Sequence, residues 1–296
     1  MLCVILSTFE PTFRDDFEGK SLDTSKWEAI EGVVRDPYHS VENQWYTPDN
    51  IELRDGCLYL VAKRQQPTRQ TYAIWMGDGM QKFAEPFEYT SAEIDTKAKF
   101  GYGKYEIRCK LPKGQGFFPA FWTFGGPGWN EIDVFEFWNE KGLTGNKPDR
   151  LLSRKHKMNV HFDYDGDGKS NNCPAKYKGP DFSEDFHVFT LIWTPYRLEW
   201  YVDGEFKRAA NLYQKGRRSR LDCKDLKLGK KYKRNKIFPI QKMHIIANLA
   251  IQSGENAPDD TTPFPSALVI DYISYEAMVD KTSKRIIPVK GQQQKP

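Results

Sequence analysis

The sequence predicts an all-β sandwich. Long helical periodicity is nearly absent, and short β-rich runs recur with turn residues between them. The 296 residues suffice for one large β domain or two small ones. Neither an internal repeat nor a linker-like break divides them. The reading is therefore one domain over 1–283, followed by a polar, Gln-containing tail over 284–296.

The elements follow in order. Pro11 leads a strand toward the Asp15-Asp16-Phe17-Glu18-Gly19 corner, with Trp27 after it. Ile51-Glu52-Leu53-Arg54 and Cys57-Leu58-Tyr59-Leu60-Val61 flank Asp55-Gly56, which makes a hairpin. From Lys104, Tyr105, Ile107 and Cys109 alternate with Glu106, Arg108 and Lys110, so one face is buried and one is wet. Pro112 to Gly116 is a turn, and Phe117 to Phe124 runs into an acidic strand. Met158 to Phe162 is a strand. Phe186 to Trp193 and Leu198 to Val202 are hairpin arms that end at Asp203-Gly204. Lys242 to Ile251 and Ala267 to Tyr275 close the β-rich part.

Composition narrows the function. No run approaches 18 consecutive apolar residues, so no transmembrane helix is expected. Met1-Leu2-Cys3-Val4-Ile5-Leu6 is apolar but too short and uncharged for a complete signal peptide. Five cysteines form no metal-binding spacing. Cys57 and Cys109 read as buried thiols, while Cys173 and Cys223 are candidates to pair. The net charge of +4 hides an asymmetry: residues 207–236 hold 13 Lys/Arg against 2 Asp, or +11, leaving −7 elsewhere. Such a patch suggests an anionic partner or a solvated loop. A nucleic-acid site is disfavoured, because only Tyr213 and Tyr232 interleave the charges and no nucleic-acid motif accompanies them. The Asp163-Tyr164-Asp165-Gly166-Asp167-Gly168 stretch mimics the start of a calcium loop. Pro174 stands where that loop needs its bidentate Glu, so a plain turn is the better reading.

The chemistry concentrates in Trp129-Asn130-Glu131-Ile132-Asp133-Val134-Phe135-Glu136-Phe137-Trp138. Three carboxylates sit among β-formers. Strict alternation puts Glu131 and Asp133 on one face and Glu136 on the other. A β-bulge near Val134-Phe135 returns Glu136 to their face, and bulges are enriched beside active sites because they re-aim a side chain. The Glu131 and Glu136 backbones are then roughly 13 Å apart, and leaning side chains can close to the ~5–5.5 Å of a retaining glycosidase pair. An acidic solvated edge and a Ca²⁺ or Mg²⁺ site are the rivals. Flanking Trp129 and Trp138 favour a sugar face over a hydrated ion.

Glu131-Ile132-Asp133-Val134-Phe135-Glu136 resembles the bulged catalytic signature of glycoside hydrolase family 16. The likeness continues through Phe17-Glu18-Gly19, Tyr46-Thr47, Asp55-Gly56, Gly103-Lys104-Tyr105-Glu106, Pro119-Ala120-Phe121-Trp122, Trp193-Thr194-Pro195, Trp200-Tyr201-Val202-Asp203-Gly204, Asn248-Leu249-Ala250 and Ile270-Asp271-Tyr272. It implies a β-jelly roll of two curved antiparallel sheets with a concave substrate cleft. It implies an endo-acting retaining hydrolase with Glu131 as nucleophile, Glu136 as general acid/base and Asp133 holding Glu131. Crowded carboxyls titrate as a coupled group, which suits one ionised and one protonated partner.

The resemblance also nominates Trp122, Trp129, Trp138, Asn43, Trp45 and His161 as sugar contacts. It nominates Asp271 for a structural calcium ion; catalysis needs no cofactor. The substrate is a β-linked polysaccharide, laminarin-type β-1,3-glucan or an algal galactan, the latter sulfated if the basic segment binds it. Asn130 replaces the Gly usual before the nucleophile in the β-1,3-glucanases. A secreted, periplasmic or cell-surface monomer is expected. A non-catalytic lectin on the same fold is the rival of another class, and the complete carboxylate trio argues against it.

Overall fold

The computed structural model describes residues 7–33, 42–67, 71–75, 80–84, 87–125, 129–138, 152–162, 171–211, 213–215, 232–234, 238–239, 241–281 and 285–286. Cys223, the calcium-loop mimic, most of the 207–236 segment and most of the tail lie outside them.

Two eight-stranded sheets stack face to face. The first runs Glu205–Asn211, Arg197–Val202, His187–Trp193, Gly103–Lys110, Ser266–Asp280, Cys57–Ala62 and Ile51–Arg54, and Ser7–Asp15 also pairs with Ser266–Asp280. The second runs Asn171–Asn172, Lys155–Phe162, Asn130–Glu136, Phe117–Phe124, His244–Ile251, Glu93–Thr96 and Trp27–Ala29, with Ala175–Lys178 also on Lys155–Phe162. Pairing within both sheets is antiparallel. The first and last long strands are therefore neighbours in one sheet.

Alternation builds the core. Tyr105, Ile107 and Cys109 are fully buried, while Glu106, Arg108 and Lys110 face outward. Phe121, Phe135, Phe189, Trp193 and Trp200 fill the space between the sheets. Asp55-Gly56 and Asp203-Gly204 have positive φ at both positions, +55° and +68°, then +51° and +76°. That is the primed two-residue hairpin whose twist matches its strands. The second of these turns leads into Glu205–Asn211, a strand that takes in the first residues of the basic 207–236 segment. Its charges are partly structural. Arg208 is buried with its guanidinium 4.8 Å from the Trp200 ring centroid and donates to the Met158 and Cys173 carbonyls. Lys207 pairs with Glu205 at 2.7 Å. Cys109 and Cys173 are buried, and Cys57 is half-buried.

Candidate active site

Phe117–Phe124 is the central strand of the second sheet, and it is buried on both faces. Phe117 and Phe121 point into the core. Phe118, Ala120 and Trp122 form a second apolar floor with Ile246 and Ala250 on the sheet's other face. The acidic strand Asn130–Glu136 lies beside this floor.

The predicted bulge is present. Phe124, Thr123 and Trp122 pair with Glu131, Ile132 and Asp133, but Phe121 pairs with Phe135. On the other side, Glu131 and Asp133 pair with His161 and Asn159, whereas Glu136 pairs with Lys157. One residue is thus in excess at Val134-Phe135. Both of those side chains are buried in the core with Ile132 and Phe137. Glu136 consequently joins Glu131 and Asp133 on the face away from the core.

Asp133 is 2 % exposed, the most buried of the three. His161 Nε2 lies 3.5 Å from Asp133 Oδ2 and 4.0 Å from Glu131 Oε1. These contacts are not ion pairs. Asn159 Oδ1 accepts from the Val160 and Cys173 backbone N–H groups, so its amide nitrogen points at His161 Nε2, 2.7 Å away. Nε2 therefore accepts, and the imidazole is neutral with its proton on Nδ1. Burial also lowers the His161 pKa, which agrees. The Glu131, Asp133 and His161 donor atoms lie within 4.8 Å of one another, close enough for a metal ion. The imidazole lone pair that a metal would need is already taken by Asn159, which argues for carboxylate chemistry instead.

The nominated sugar contacts divide. Trp129 is 43 % exposed, with its ring 6.4 Å from that of His161 and edge-on to Phe124. It offers an open face next to the carboxylates. Trp138 is half-buried, with the Lys157 ammonium 3.5 Å from its ring centroid. Trp122, opposite Asp133 in register, is 8 % exposed and donates from Nε1 to Asn248 Oδ1 at 2.9 Å. Asn248 in turn donates to the Tyr46 hydroxyl at 2.9 Å. Trp122 is thus a held floor residue rather than an open platform.

Asn43 is half-buried and anchored by its backbone N–H to the Ile251 carbonyl. Trp45 departs from expectation: it is buried against Phe87 and Val33 in a cluster of its own, because the alternating partner Gln44 takes the polar role and accepts from the Ile251 N–H. Asp271 sits on the outer face of the first sheet, 2.6 Å from Arg108 Nη1, so calcium there would have to displace an existing ion pair.

Sequence reasoning assigned no role to His156, Asn159, Lys157 or Asn248, although Asn248 lies in one of the motifs that carry the resemblance. Asn248 left a signal, as the one polar side chain within Ile245 to Ile251. His156 left none, since its partner is a backbone carbonyl.

The model of a known family, Glycosyl hydrolases family 16, matches residues 42–262. A glucan endo-1,3-beta-glucosidase of Cryptopygus antarcticus is 32 % identical over 211 residues, covering 68 % of this chain and 68 % of that protein. A beta-glucanase of Rhodothermus marinus is 29 % identical over 283 residues, 90 % of this chain and 84 % of its own. Among solved structures, the laminarinase catalytic domain from Thermotoga maritima superposes with a TM-score of 0.65 at 28 % identity, covering 90 % of this chain and 98 % of that one.

Proposed function

The chain belongs to glycosyl hydrolases family 16, and from that premise we propose that it cuts β-1,3-glucan internally, with Glu131 as nucleophile and Glu136 as acid/base. It is an O-glycosyl hydrolase acting on a polysaccharide. The observation that carries the residue assignment is the bulge, which sets Glu131, Asp133 and Glu136 on one face.

Glu136 protonates the glycosidic oxygen as Glu131 attacks the anomeric carbon. The glycosyl–Glu131 ester forms and the leaving sugar departs as an alcohol. Glu136 then takes a proton from water, which attacks the same carbon and releases Glu131, so configuration is retained. Asp133, almost without solvent, shares the face of Glu131 and Glu136, and carboxyls so close oppose one another's ionisation and titrate as a coupled group. Trp129 supplies a ring face for a sugar. The substrate assignment rests on the named activity of the Cryptopygus and Thermotoga relatives. Among the described residues no helix is long and apolar enough to cross a membrane. An internal cut in a large polymer is made where the polymer is, which supports a location outside the cytoplasm.

The test is reducing-end release from laminarin, mixed-linkage glucan, agarose, porphyran and κ-carrageenan, with Glu131→Gln as the blank. Laminarin should yield oligosaccharides whose first-formed reducing ends are the β-anomer. No release from laminarin sinks the substrate, and an α-anomeric first product sinks the mechanism.

A further inference from the structure

The bulge that aims Glu136 has two carbonyls that are received by side chains. Trp200 Nε1–H donates to the Asp133 carbonyl at 2.9 Å, reaching across the core from the first sheet. His156 Nε2 lies 2.9 Å from the Val134 carbonyl, and since a carbonyl only accepts, Nε2 carries the proton. Both side chains are fully buried. Burial pushes the imidazole pKa down to about 4, so at neutral pH the ring is neutral and its Nδ1 is bare. Rings hold both donors in place: Phe137 stacks on His156, and the Arg208 guanidinium covers Trp200 while binding the Met158 carbonyl of the neighbouring strand.

We propose that Trp200 and His156 are positioning residues, a two-point clamp from the core that holds the bulge and thereby keeps Glu136 aimed at the glycosidic oxygen. The physical reason is the strand period of two. Without the extra residue the register slips by one, and Glu136 turns toward the core in exchange for Phe137. The inference rests on the assignment of Glu136 as acid/base and extends it to residues that touch no substrate.

The variants Trp200→Phe and His156→Phe remove one N–H each and keep an aromatic ring. His156→Gln keeps a donor near the Nε2 position. Near-UV circular dichroism selects folded variants. With the polysaccharide, kcat should fall roughly 10- to 100-fold, as expected for a misplacement near 1 Å, with KM within about two-fold. His156→Gln should recover to within about three-fold of wild type.

The decisive probe is the 2,4-dinitrophenyl β-glycoside of the β-1,3-linked glucose disaccharide, whose leaving group needs no proton. On it, sodium azide should accelerate the Phe variants. Azide attacks the anomeric carbon of glycosyl–Glu131, expels the carboxylate and gives a β-glycosyl azide, a step that needs no base. A general packing defect shows no such rescue. Folded Phe variants with wild-type kcat, or with reduced kcat that azide does not raise, overturn the proposal. If His156→Phe does not fold, Trp200→Phe decides alone. Glu136→Ala is the control: failure of azide to rescue it removes the premise and the proposal together, whereas rescue of Glu136→Ala but not of Trp200→Phe removes only the clamp.

Discussion

Each sheet turns one face away from the core, and both faces carry carboxylates, yet they treat them differently. On the first sheet, Lys104 lies 3.1 Å from Glu106 and 3.3 Å from Glu276, and Arg108 lies 2.6 Å from Asp271. Glu106 also accepts from the Tyr272 and Thr190 hydroxyls. On the second sheet, Glu131 and Asp133 converge on each other and on a neutral imidazole. Charges matched with cations in half-wet positions serve solubility and local order, and contribute little each. Carboxylates gathered with little solvent oppose one another's ionisation, which is useful only when a proton must move. The comparison distinguishes structural acids from chemical ones better than burial alone, since Glu106 and Glu131 are both half-buried.

Removing one acid from each face breaks the comparison most directly. Glu131→Gln should lower kcat on the polysaccharide by roughly 10⁴-fold or more, the scale of losing a covalent nucleophile. Glu106→Gln should leave kcat within about two-fold. Reducing-end assays on the folded variants measure both, and equal losses would mean that the two faces do not differ in role. Trp129→Ala sharpens the contrast within the cleft. Its open ring should contribute about 1 kcal/mol of sugar stacking, so KM should rise roughly 5- to 10-fold with kcat nearly constant. An unchanged KM would make Trp129 a bystander of the carboxylates.

Most of this difference was legible in the sequence, for a physical reason. A strand's period of two shows itself wherever one face is wet, as from Tyr105 to Lys110, and the misfit of Glu136 to that period pointed to the bulge. The strand Phe117–Phe124 gave no such signal, because both of its faces are buried. Trp122 on it therefore reads from sequence only as a cleft aromatic, without the hydrogen bond to Asn248 that pins it to the floor, while Trp45, on the short strand Trp45–Tyr46, packs on Phe87. The clamp on the bulge was illegible: Trp200 is 67 positions from Asp133 in the chain and bonds to a backbone oxygen, which any residue supplies. Asp271 and Arg108 are 163 positions apart, so their pairing was equally hidden.

The next effect concerns stability. His156 stays neutral in the folded chain down to about pH 4, while an unfolded histidine protonates near 6.5. Between those values the unfolded state binds more protons, so acid favours unfolding, and the contribution is full above 6.5 and lost as pH falls toward 4. The loss is about 3 kcal/mol over that window, of order one pKa unit per 1.4 kcal/mol. Urea midpoints at pH 7 and pH 4.5 should therefore fall more for wild type than for His156→Gln, and parallel shifts would place the acid sensitivity elsewhere.

The smallest effect lies on the first sheet, where the pH dependence is carried by a paired acid instead. Burial works against ionisation of Glu106, but hydrogen bonds from Tyr272, Lys104 and Thr190 outweigh it and lower its pKa below the usual value of 4.5. A lowered carboxylate pKa means that the stabilisation is complete above the unfolded value and fades as pH falls through the folded one. Glu106→Gln should thus cost about 1 kcal/mol at pH 7, a Tm loss of a few degrees, and the gap to wild type should narrow as pH falls below the unfolded value and through the lower folded one. Thermal scans of both proteins across that range measure it. A gap that persists in acid would trace the loss to packing of the Gln amide under Tyr272, and the outer face would then owe its order to shape rather than to charge.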